Sequence, residues 1–179
     1  MSADGLHVGR ATLRALRQSL LTHAPDQAIT VLQETGYASG EGTFNTFIEW
    51  LRTTQGLTGL DQLDAAHLND VLGDFFRSTG WGTLTVSEVG AGGLALDSPD
   101  WAEAEPGSAD APMCFFSAGM LADFFGRLSG EPIAVMEVEC RGRNDDRCRF
   151  LSGTPETLQR VYDEMAAGRT YEEALGARR

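Results

Sequence analysis

The sequence predicts an α+β fold: a small antiparallel sheet packed with helices, an N-terminal helical region, and a cysteine cluster suited to a structural zinc site. Three observations point there. Apolar residues recur at spacings of three and four through the first eighty residues, the period changes to two at Trp81, and all three cysteines fall in one 35-residue stretch.

The elements follow in order. Val8, Leu13, Leu16, Leu20 and Leu21 mark a first helix, and Pro25 stands where the first turn of a second helix tolerates it. Ile29, Val31 and Leu32 carry that helix to Gly36, after which Phe44, Phe47, Ile48 and Leu51 form a separate apolar face ending before Gly56. Asp64 is a cap for a helix bearing Leu68, Val71, Leu72, Phe75 and Phe76, which stops at Gly80. From Trp81 the chain alternates through Val86 and Glu88, turns at Gly90 to Gly93 and returns at Leu94 to Leu96, which reads as a hairpin. Pro99 to Pro112, rich in Asp, Glu, Ala, Ser and Pro, has no apolar period and reads as a surface loop.

Met113 to Leu128 is the least polar helix, and its small residues Ala118, Gly119, Ala122 and Gly126 would let a neighbouring element approach closely. A strand at Ile133 to Val138, a turn at Asn144-Asp145-Asp146 and a partner strand at Arg147 to Leu151 make a second hairpin. Thr154 caps the last long helix with Pro155 at its first position, and Thr170 with Glu173 forms a capping box on a short final one.

Composition excludes several functions. The 42% hydrophobic and 22% charged content is that of a globular chain, and no apolar run reaches the roughly 18 residues needed to cross a bilayer. Met1 to Arg10 shows no basic-then-apolar leader, so a cytoplasmic protein with reduced thiols is expected. A net charge of -12 would repel nucleic acid phosphates. There is no phosphate loop, no GxGxxG after a strand and no GxSxG, so no enzymatic activity is expected.

Cys114, Cys140 and Cys148, with Glu137, supply the four donors that a closed tetrahedral metal site requires. The spacing leaves a second reading open, because free cysteine is also a common buried residue. Glu137 and Cys140 lie three apart and would face opposite ways in a regular strand, so a shared site demands a bulge or strand end near Glu139. Arg141, Arg143, Arg147 and Arg149 alternate through the same segment and would offset the charge of three thiolates and a carboxylate.

The stretch Met113 to Phe150, with its cysteine opening an apolar helix, its Glu-Val-Glu-Cys strand end and its Cys-Arg-Phe eight residues later, resembles the 4-vinyl-reductase-like domain family. Ser78 to Val86 is similar to that family's first strand. The resemblance implies an α+β fold, a homodimer and, as in the sensory domains of aromatic-responsive activators, zinc held by Cys114, Glu137, Cys140 and Cys148. It divides the chain into a helical, dimerising region at 1–60 and a ligand-binding domain at 61–179. It implies a hydrophobic or aromatic small-molecule ligand, with a tetrapyrrole-pathway intermediate as the specific version and a protein-contact adaptor as the alternative. The 4-vinyl reductase reaction is disfavoured, since no nicotinamide or flavin site is evident. The pocket is expected along the stripe Phe116, Met120 and Phe124, with Trp81 and His67 nearby.

Overall fold

The computed structural model describes residues 8–63, 67–90 and 93–176. Its helices are α1 (Arg10–His23), α2 (Pro25–Trp50), α3 (Leu68–Ser78), α4 (Phe115–Ser129), α5 (Pro155–Ala166) and α6 (Tyr171–Ala174). The strands β1 (Thr85–Val89), β2 (Gly93–Ser98), β3 (Ala134–Glu139) and β4 (Cys148–Gly153) form one sheet in the order β1-β2-β4-β3, antiparallel throughout. The expected α+β architecture with a small antiparallel sheet is therefore present. The cap expected at Asp64 lies outside the described residues.

Alternation along the strands serves two cores. Leu96 and Phe150 face a large core built with α2, α3 and α4, while Val138 and Leu151 face a smaller one under α5 and α6. In the large core Phe124 is surrounded by Phe44, Phe47, Phe75, Phe76 and Phe125, with ring centroids 5.2 to 6.1 Å away. Phe47 and Leu51 join Leu72, Phe75 and Phe76 there, so residues on both sides of position 60 share one core.

The second helix is not divided at Gly36: α2 runs unbroken through Gly36 and Gly40 to Trp50. The reason is tertiary. A Cβ on Gly36 would collide with the Phe116 carbonyl oxygen, and one on Gly119 with that of Gln33. The backbones of α2 and α4 touch here, and the loss of helix propensity at these glycines is offset by the contact they permit. Gly56, at φ 71, closes the turn after α2, where the sequence ends the apolar face.

The surface-loop reading of Pro99 to Pro112 is also corrected. Trp101, Ala102, Glu103 and Ala104 are all buried. Arg14 and Arg17 of α1 donate to the carbonyls of Ala102, Glu103 and Ala104, which replaces the solvent that a polar segment would otherwise need. At the C-terminal side, Thr154 accepts from the Thr157 amide and the Thr170–Glu173 capping box is complete, as local chemistry dictates.

Candidate metal centre

Four segments deliver the donors. Cys114 is the N-cap residue of α4, Glu137 lies on β3, Cys140 follows β3 directly, and Cys148 opens β4. A register shift between β3 and β4 at Glu137/Glu139 supplies the required bulge. Across it Val138 packs in the smaller core and Glu139 pairs with arginines, while Cys140 turns back to the side of Glu137.

The four ligand atoms all lie within 4.8 Å of one another, and the Cys114 and Cys140 sulfurs are 3.9 Å apart. A tetrahedron with metal–sulfur bonds of about 2.3 Å has edges of about 3.8 Å, so the cluster is already close to the size of a metal's first coordination shell. All three thiols are buried. Glu137 Oε2 accepts from the Cys114 amide at 2.8 Å, but its Oε1 is buried without a partner. An orphaned carboxylate oxygen beside three thiols is a costly arrangement unless a cation completes it.

Electrostatics give the same answer. Burial, then its sulfur neighbours and Glu137, push the Cys114 thiol well above its ordinary range. Hydrogen bonds from Cys114 and Cys148, aided by the Met113 and Gly142 amides, drive Cys140 down. Cys148 is lowered by its bond with Cys114 but raised more by Cys140, burial and Glu137 together. Burial and the neighbouring Cys140 charge lift Glu137 to about 8. Lacking a cation, the cluster accommodates one thiolate; a divalent ion would favour deprotonation of every donor. The residues fit a four-coordinate metal, and four protein donors leave no open position for water or substrate.

The arginines do not serve the cluster in the expected way. Arg149 makes a two-pronged pair with Asp97 at 2.7 Å, Arg147 pairs with Glu139 at 3.0 Å, and Arg143 pairs with Asp145 at 2.8 Å. Tyr171 donates to Glu139 and accepts from Arg149, which ties α6 to the sheet. Sulfur is met instead by backbone amides: the Gly142 amide lies 3.3 Å from Cys140 Sγ, within a tight turn at Arg141–Arg143 closed by Asn144 at φ 67. Asp145 holds that turn by accepting from the Cys140 amide at 2.7 Å.

A second carboxylate completes the start of α4, and sequence reasoning missed it. Glu103 is fully buried and accepts from the amides of Phe116 (3.3 Å) and Ser117 (2.8 Å) and from the Ser117 hydroxyl (2.5 Å). Trp101 Nε1 donates to the same hydroxyl at 2.7 Å. Glu103 and Glu137 thus satisfy the first-turn amides that the Cys114 side chain leaves uncapped. A lone tryptophan in a polar stretch was the only local signal.

Burial raises Glu103 from 4.5 to about 7, against the lowering effect of Ser117 and Arg17. A carboxyl raised in the folded state binds more protons there than in the unfolded chain between those two values. Its contribution to stability is therefore greatest at low pH and falls as pH rises to 7, by up to about 3 kcal/mol. Urea denaturation of Glu103→Gln and the parent protein should show their stability difference shifting toward the variant between about pH 5 and pH 8. A difference that is flat with pH would contradict the assignment.

The other candidate residues are dispersed. Trp81 stacks on Phe116 (6.1 Å, 13°) and on Trp101 (5.6 Å, 26°), and both Trp81 and Phe116 are partly exposed. Met120 and Phe124 are fully buried, so the stripe is closed along those two residues and open only at Phe116. His67 lines a separate cleft of about 310 Å³ with Leu57, Leu63, Asp70 and Val71. A shallower cleft of about 320 Å³ lies between α2, α4 and β3, lined by Tyr37, Ala118, Ala122 and Val135.

Comparison with known proteins gives the family. Residues 101–154, which include all four donors, match the vinyl-4-reductase (V-4-R) domain. An uncharacterized protein of Methanocaldococcus jannaschii is 33% identical over 76 residues, which span 42% of this chain and 41% of that protein. The crystal structure of the phenol-responsive sensory domain of the transcription activator PoxR, with phenol, superposes with a TM-score of 0.65 at 20% identity, covering 90% of this chain and 82% of that one. A vinyl-4-reductase family protein from Methanocaldococcus jannaschii aligns with a TM-score of 0.39 at 18% identity, over 85% of this chain and 98% of that one. The fold is shared with the sensory domain, and the segment that builds the cysteine–carboxylate cluster, residues 101–154, is a vinyl-4-reductase domain.

Proposed function

We propose that this chain is a non-catalytic binding module for a small hydrophobic or aromatic molecule, stabilised by one zinc ion at Cys114, Glu137, Cys140 and Cys148. The observation that carries the binding reading is the partly exposed Trp81–Phe116 stack, backed by Trp101, in a fold shared with a sensory domain crystallised with phenol. Stacked rings open at one end offer an aromatic ligand a third layer, and Ser117 and Glu103 set hydrogen-bonding groups behind them. The two clefts, at about 310 and 320 Å³, lie at the small end of ligand sites. That favours a single-ring compound over a tetrapyrrole-pathway intermediate. Zinc is the metal that three thiolates and a carboxylate select in a closed tetrahedral site.

Exposed Leu16, Ile29 and Tyr37 on α1 and α2 favour a homodimer closed across these helices. Native mass spectrometry of protein purified without added metal tests metal and assembly together. The expected species carries one zinc per chain and has twice the 19.3 kDa mass. A thermal-shift series with phenol and larger apolar compounds tests the ligand class by mass action. Metal-free monomer that no aromatic compound stabilises would reject the proposal.

A further inference from the structure

Helix α1 is attached to the body in an unusual way. Its only buried residue is an arginine, Arg17, while Leu13, Leu20 and Leu21 are half-buried and Leu16 is 50% exposed. What holds it is a ladder of guanidinium groups on main-chain carbonyls. Arg10 donates to Gly80 at 2.9 Å, Arg14 to Ala102 at 3.3 Å and Ala104 at 3.0 Å, and Arg17 to Glu103 at 2.8 Å. Positions 10, 14 and 17 share one helical face.

The carbonyls belong to the two segments that carry Trp81 and Trp101, which are themselves joined by the Ala102 amide donating to the Trp81 carbonyl at 2.7 Å. Arg17 Nε is buried without a partner, so the closed arrangement is imperfectly satisfied. The junction to α2 is a single residue, Ala24, at φ -143 and ψ 54, followed by Pro25, which has no amide hydrogen to carry helical bonding across. An element with little buried apolar area, water-replaceable hydrogen bonds and a one-residue hinge belongs to the low-stability end of a fold.

We infer that α1 is a strap that opens about Ala24 and controls access to the Trp81–Trp101–Phe116 slot, held shut by Arg10, Arg14 and Arg17. The inference deepens the proposed function, since it names the moving part of that same site. Opening frees the carbonyls at 80 and 102–104 to water and loosens the backbone on which both tryptophans are mounted. Closing restores four hydrogen bonds without repacking the large core.

Hydrogen exchange on the unmodified protein tests this without any ligand. Amides of α1 should exchange through a local opening, on the order of tenfold or more faster than those of α2. Arg14→Ala should speed α1 further while leaving α2 unchanged, and should raise the quenching of tryptophan fluorescence by acrylamide. Exchange of α1 and α2 at one common rate would overturn the strap. So would an Arg14→Ala protein whose tryptophans are no more accessible than before. A phenol titration run alongside separates the two ideas: absence of phenol binding counts against the proposed function, whereas the exchange rates and the quenching decide the strap.

Discussion

Removing the metal, or replacing Cys140 by serine, should destabilise this protein more than any other single change. Structural zinc contributes about 10–16 kcal/mol to the folding of small peptides. Even a third of that is comparable with the whole stability of a marginal domain, about 5–15 kcal/mol. The cluster links the start of α4, the end of β3 and the start of β4, so its loss releases three elements together. What remains without the ion is a buried carboxylate oxygen with no partner and three thiols of conflicting protonation. Thermal unfolding with and without a strong chelator, and of Cys140→Ser, should show large and similar losses. An unchanged melting temperature in both would show that the cysteines are ordinary core residues.

The second large effect is expected where helices touch. Gly119→Ala places a methyl group inside the Gln33 carbonyl oxygen and close to the Tyr37 amide, both backbone atoms of α2 that cannot rotate away. On an isolated helix this change would gain up to about 1 kcal/mol in propensity. Here α2 and α4 must separate, which also loosens the Phe44, Phe47 and Phe124 contacts between them. A cost above about 3 kcal/mol is expected, at the upper end for overpacking. Gly42, on α2, has nothing within 4 Å of an added Cβ and provides the control: Gly42→Ala should be neutral or stabilising. Equal effects of the two substitutions in urea denaturation would show that the helices do not pack as described.

Much of this protein is written locally. The strand pairings at 85–98 and 134–153 follow from alternation and turn residues, and the caps at Thr154 and Thr170 follow from side chains within three residues of the amides they satisfy. The cysteine–glutamate grouping was legible because four chemically distinctive residues fall in one short stretch. Even the bulge could be inferred, since a three-residue separation cannot place Glu137 and Cys140 on one face of a regular strand.

What the sequence hid depends on partners distant along the chain. Gly36 looks like a helix break until the carbonyl of Phe116 is seen against it, because propensity counts only the helix's own backbone. Trp101 and Glu103 sit in a stretch whose composition says loop, and α1 and Ser117 decide their burial. The arginines beside the cysteines look suited to the thiolates, yet β2 brings Asp97 to them while backbone amides meet the sulfur. The chain by itself thus determined its elements, their caps and the grouping of the candidate metal donors, since these rest on residues close in sequence. Only the tertiary structure decided which glycines are contacts, which carboxylates are buried and where each charge is spent, because burial and pairing are set by neighbours that the chain order does not place together.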